Sequence, residues 1–138
     1  MKKQAFFIAL FFLSNIASAE ITSQTLCFSK QNSKKVELVM RKYFDEEIQR
    51  EIGALVKYST SKDPIQLVFI GDEITEESVD YELHWLEIFN GKINGEYRLL
   101  KPKMSTVLGA YVKYKNFKTG KEAIFSPSGK TSDECVIK

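Results

Sequence analysis

A period of two constrains this chain more than any other feature. Lys35 to Phe44 reads KVELVMRKYF, with Val36, Leu38, Met40 and Phe44 on one parity and Glu37, Arg41 and Tyr43 on the other. From Ile93 to Leu99, Ile93, Tyr97 and Leu99 point one way, while Asn94, Glu96 and Arg98 point the other. Leu108, Ala110, Val112 and Tyr114 repeat the pattern. Successive side chains of a strand face opposite sides, so this alternation marks strands with one buried face.

The punctuation fits hairpins. Asn90-Gly91 separates HWLEIF from KINGEYRLL and suits a tight type I′ turn, whose central residues need positive φ. Asn116 to Gly120 joins AYVKYK to KEAIF as a longer hairpin with glycine at a left-handed position. Gln31-Asn32-Ser33 and Ser61-Lys62-Asp63-Pro64 break neighbouring apolar runs. Gly95 lies inside a strand run, where glycine marks a bulge or a close backbone approach. In DEEIQREIGALVKY, Ile48, Ile52, Leu55 and Val56 have helical spacing, but Ile52, Ala54, Val56 and Tyr58 also alternate. Gly53 costs a helix interior about 1 kcal/mol relative to Ala, which favours a turn near Asp45-Glu46 followed by a strand. The expected fold is all-β: an antiparallel meander of about eight strands closing into a small barrel, since closure removes sticky edges. A sandwich, or a barrel with one short helix near residues 45–57, is the alternative.

Residues 1–19, MKKQAFFIALFFLSNIASA, read as a secretory signal peptide: Lys2 and Lys3, an apolar run, then Ala17-Ser18-Ala19. The apolar run is about nine residues, and a membrane span needs roughly 20. Cleavage is expected near Ala19, leaving residues 20–138 as one domain, periplasmic or secreted. Cys27 follows the large Leu26, which disfavours lipidation. In an oxidising compartment the two cysteines, Cys27 and Cys135, are expected to form a disulfide that ties the last strand to the first.

Charge narrows the functional classes. Twenty basic residues stand against 18 acidic ones, and two of the bases, Lys2 and Lys3, belong to the leader. The exported chain is therefore formally neutral, without the basic surplus of a nucleic-acid binder. The charge is nevertheless segregated. Seven acids and no Lys or Arg fall between Asp72 and Glu87, whereas eight bases and one acid, Glu96, fall between Lys92 and Lys121. Dipolar surfaces of this kind steer partners.

The residues offer little for catalysis. The single histidine, His84, shares strand parity with Glu82 and Leu86. No serine has the spacing of a nucleophile elbow. Ser126-Pro127-Ser128-Gly129-Lys130 lacks the first glycine of a phosphate loop and reads as a polar tether with a secondary chance of meeting a partner. Glu82 with Glu87 is the conceivable carboxylate pair, which would need a cleft with one carboxyl in an apolar pocket. Neither a cofactor nor a metal is expected: two cysteines and one histidine are too few zinc ligands. The stretch GDEITEESVDYE also fails a calcium loop, since Ile74 and Glu77 stand where a ligand and the central glycine belong.

That stretch is instead the leading candidate for contact with a protein. Asp72, Glu73, Glu76, Glu77 and Asp80 would steer a basic partner, beside a strand carrying Tyr81, Trp85 and Phe89, with Ser126, Ser128 and Gly129 as a second loop. In overall form, the chain is similar to the small periplasmic barrels that inhibit lysozymes: a leader, roughly 120 further residues, strands and few cysteines. The inhibitors of membrane-bound and periplasmic lysozyme carry a Ser-Gly-x-x-Tyr loop; Ser128-Gly129-Lys130-Thr131-Ser132 has no tyrosine there. The expected function is non-enzymatic protein binding in the bacterial envelope, as an inhibitor of, or immunity protein against, an envelope-degrading hydrolase. The alternatives are a carrier of small apolar ligands and an envelope enzyme.

Overall fold

In the computed structural model, residues 20–103 and 109–137 are described; the leader and Leu108 lie outside them. Eight strands follow in chain order: β1 (Ile21–Lys30), β2 (Ser33–Asp45), β3 (Arg50–Tyr58), β4 (Ile65–Gly71), β5 (Val79–Phe89), β6 (Lys92–Pro102), β7 (Tyr111–Asn116) and β8 (Glu122–Pro127). Each pairs antiparallel with its neighbour, and the sheet closes into a barrel. Closure is short: Phe28, Ser29 and Lys30 of β1 face Pro127, Ser126 and Phe125 of β8. The fold is the expected meander barrel, with neither a sandwich nor a helix near residues 45–57.

That segment turns because Asp45 caps a reversal. Its Oδ1 accepts from the backbone N–H of Glu47 at 2.9 Å and of Ile48 at 3.2 Å. Gln49 then takes φ 52°, and the chain enters β3. At the β5–β6 turn Asn90 and Gly91 have φ 50° and 70°, the two positive values that a type I′ hairpin demands.

The interior is packed with side chains. Leu38, Met40, Val56, Trp85, Tyr97, Leu99 and Val112 are fully buried. Outward positions on the same strands carry Arg41, Glu96, Arg98, Lys113 and Lys115. Several polar groups inside pair with one another: Tyr58 and Tyr97 share a hydrogen bond of 2.5 Å, and Tyr114 bonds the buried Glu87. Burial is the main cause that pushes the Tyr58 phenol up to about 12.

Bulges explain where the alternation misleads. Gly53 faces Tyr43, but Glu51 faces Phe44, leaving Ile52 as an extra residue. Ile52 consequently points to solvent and Glu51 points in. Asn94 is the extra residue opposite Glu87 and Ile88, which throws Ile93 outward at 54 % exposure, away from Tyr97 and Leu99. Further irregularities fall at Ile70 and Asp80. An inserted residue reverses the phase of everything before it.

Gly95 follows the Asn94 bulge and lies under Tyr114. A Cβ there would stand 2.6 Å from both the Lys115 carbonyl oxygen and Tyr114 Cε2. Gly95→Ala is therefore expected to cost about 2 kcal/mol, as overpacking does, and to lower the midpoint of urea unfolding. An unchanged midpoint would show that β6 and β7 separate more easily than their register implies.

Past β8 the chain crosses the outer face of β1 toward β2. The Ser128 N–H donates to the Cys27 carbonyl at 3.0 Å. Lys130 pairs with Glu37 of β2. Cys135 is disulfide-bonded to Cys27 across 108 residues of sequence, with a Cα–Cα distance of 6.2 Å.

Candidate functional site

Up-and-down topology sends the β2–β3 turn, the β4–β5 connection and the β6–β7 connection to the same end of the barrel. The acidic stretch is the β4–β5 connection, so it borders that mouth. It does not extend into solvent. It folds back over the outer face of β5 and β6 and is fastened there by one carboxylate.

That carboxylate is Glu82. Tyr81, Leu83 and Trp85 point into the barrel, so Glu82 and His84 point outward; yet Glu82 is 0 % exposed. The loop supplies the cover. The Thr75 N–H donates to Glu82 Oε2 at 2.9 Å, and the Thr75 hydroxyl lies 2.8 Å from the same oxygen. Arg98 of β6 donates from Nη1 to Glu82 Oε1 at 3.1 Å. His84 Nε2 stands 3.0 Å from the Glu73 carbonyl oxygen and 3.1 Å from Glu82 Oε1. His84 Nδ1 stands 2.7 Å from Glu96 Oε1.

Burial pushes the Glu82 carboxyl up, but the Thr75 N–H and hydroxyl, His84 and Arg98 together outweigh it, and the group is held below the ordinary carboxylate range. Charge-assisted bonds of this kind are roughly twice as strong as neutral ones. Further stitches close the loop. The Val79 N–H donates to the Glu76 carbonyl at 3.2 Å, the Lys103 N–H donates to the Ser78 carbonyl at 3.0 Å, and Glu76 pairs with Lys113 of β7.

The five acids expected to steer a partner are thereby divided. Glu76 is half-buried and neutralised by Lys113. Asp72, Glu73, Glu77 and Asp80 are exposed, and none makes an ion pair among the described residues. Ile74 rises between them at 54 % exposure. The aromatic strand does not form one face: Trp85 is fully buried, Tyr81 points into the mouth, and Phe89 is exposed at the other end. Ser126 lies in β8 opposite Ser29. Ser128 and Gly129 belong to the tether on β1, where Ser128 Oγ accepts from the Lys130 N–H at 3.3 Å.

The same mouth contains a concavity of about 440 Å³ between β2, β3, β4 and β5. Its lining includes Lys42, Phe44, Glu51, Phe69, Tyr81 and Leu83. Deeper in, Met40, Val56, Trp85, Tyr97 and Leu99 pack the space between the strands.

The two nitrogens of His84 face oxygens on both sides, Glu96 Oε1 at Nδ1 and the Glu73 carbonyl and Glu82 Oε1 at Nε2. Glu82 and Glu87 are on opposite faces of β5 and cannot flank one bond. Among the described residues, no three His, Cys, Asp or Glu side chains are grouped to hold a metal, and no helix is long and apolar enough to cross a membrane.

Comparison with protein-family models, curated proteins and solved structures gives no match.

Proposed function

We propose that this chain is a non-enzymatic binding protein of the bacterial envelope, periplasmic or secreted, whose β4–β5 loop docks a basic protein. Its most concrete form is an inhibitor of, or immunity protein against, an envelope-degrading hydrolase. The observation that carries this reading is the buried Glu82, which spends a carboxylate on the outer surface to hold an acidic loop in one shape. Polar loops that only connect strands need no such anchor. A preformed loop presenting Ile74 within a ring of free acids spares the ordering cost of binding, and the acids raise the encounter rate with a cationic surface. The segregated charge of the sequence supports the same reading.

The test uses basic lysozymes and peptidoglycan amidases as a first panel, with association followed by stopped flow at two salt concentrations. The triple variant Asp72→Lys, Glu73→Lys, Glu77→Lys leaves Glu82 and Thr75 untouched. It is expected to slow association with a bound hydrolase by about ten-fold or more and to flatten its salt dependence. Unchanged association and salt dependence would remove the loop from the interface.

A further inference from the structure

The concavity at the barrel mouth is lined by an inward-facing ion pair. Deeper in, the inward positions of β2 and β3 are Met40, Leu38, Ala54 and Val56, followed on β3 by Tyr58. At the mouth they are Lys42 and Glu51, joined at 2.7 Å with their side chains only 11 % and 13 % exposed. Glu51 faces inward because the bulge at Ile52 turns it there, so the pair is set by an irregularity in the sheet. Bulges commonly re-aim side chains beside functional sites.

The pair does not exhaust itself. Glu51 Oε1 accepts from Lys42, but Oε2 is buried and meets no donor among the described residues. Lys42 is the complement: an ammonium has three N–H donors, and one of them reaches Glu51 Oε1. Leaving buried polar capacity unused is costly. The last torsion of a glutamate is soft, so either oxygen can face Lys42 while the other turns to the concavity.

Phe44, Phe69 and Leu83 supply an apolar wall, and Tyr81 supplies a ring at the rim. Burial, then the nearby Glu51 charge, holds the Tyr81 phenol above its ordinary value, which places that ring within the field of the carboxylate. The charged residues of the lining balance: Lys42 and Arg50 against Glu51 and Asp72. A neutral lining disfavours a ligand of net charge. A spare donor and a spare acceptor side by side favour one that carries both signs. At about 440 Å³ the space suits a small molecule.

We infer that the barrel mouth is a binding site for a small zwitterion with an apolar body, a free amino acid or short peptide of the phenylalanine or leucine kind. Its carboxylate takes the spare Lys42 donor, its ammonium takes the spare Glu51 oxygen, and its side chain lies on Phe44, Phe69 and Leu83. The site borders the docking loop at Asp72, but its proposed contacts, Lys42, Glu51 and the apolar wall, lie on the strands and do not depend on a protein partner.

Three matched probes test this on the full chain with its disulfide formed: phenylalanine, 3-phenylpropionate, which lacks the ammonium, and 2-phenylethylamine, which lacks the carboxylate. Binding is read by calorimetry and by amide shifts in ¹⁵N-labelled protein. Phenylalanine is expected to shift Phe44, Glu51, Phe69 and Leu83 saturably and to bind about ten-fold or more tighter than either truncated probe. Glu51→Gln is expected to erase the preference for phenylalanine over 3-phenylpropionate, and Lys42→Met its preference over 2-phenylethylamine. Equal binding of all three probes, shifts that map elsewhere, or no saturable shift would overturn the assignment. The comparison on the unaltered chain decides the question even where a variant fails to fold.

Discussion

Replacing Cys27 and Cys135 together with serine is expected to lower the unfolding free energy by about 4–5 kcal/mol, the chain-entropy value for a bridge closing a loop of roughly 100 residues. For a domain of this size that corresponds to a fall in melting temperature of roughly 15–20 °C. Two physical effects add here. The bridge restricts the unfolded chain across 108 residues, and it holds the segment after β8 against the outer face of β1. That second effect bears on closure, because β8 reaches β1 through three residue pairs only. The measurement is a melting curve of the oxidised protein, the reduced protein and the double variant. The last two are expected to coincide, well below the first. A difference of only a few degrees would show that barrel closure holds without the bridge.

The second large effect belongs to Glu82. Glu82→Ala removes the acceptor for Thr75 and leaves Arg98 and His84 beside an uncompensated hollow. Removing one partner of a buried ion pair is strongly destabilising, and a cost of about 3 kcal/mol is expected. The loss is also expected to be local. Residues 72–78 should exchange their amide protons at nearly unprotected rates while the strands stay protected.

The pH dependence has a definite sign. The Glu82 carboxyl sits below its ordinary value in the folded chain. Its stabilisation is therefore complete above the unfolded-state value of about 4.3 and is lost as pH falls through the lower folded value. Urea midpoints of the native chain and the variant should differ by a constant amount from neutral pH down to about pH 5 and converge below it. A gap that widens in acid would contradict the assignment of Glu82 as the anchor.

The fold was legible because its signals are local. Alternation in β2, β6 and β7, the Asn90-Gly91 turn and the distant cysteines each act over a few residues or through a covalent bond. The bulges were legible only in part. Gly95 marked a bulge or close approach in KINGEY, and both occur there. But nothing in EIGALVKY or KINGEY says that Ile52 or Asn94 is the extra residue, because the insertion is defined by the partner strand. Those insertions decide that Ile93 faces solvent and that Glu51 enters the mouth. The acidic stretch was visible as charge, but its anchor was not. Glu82 reads as one more acid in a run of acids. What sets it apart is that Thr75 folds back over it and that Arg98 and Glu96 arrive beside it through the β5–β6 register. Strand parity shared with His84 was the one available hint. It becomes informative once the hairpin is drawn and both residues are seen to stand outside the barrel.

The central claim is that the stretch from Asp72 to Ser78 is a held recognition surface, distinct from a solvated connection. Backbone ¹⁵N relaxation of the free protein at neutral pH tests it most directly. Order parameters of about 0.85, matching the strands, are expected for Glu73, Ile74, Thr75 and Glu76, falling in Glu82→Ala. Values below about 0.6 across those residues in the native chain would contradict it.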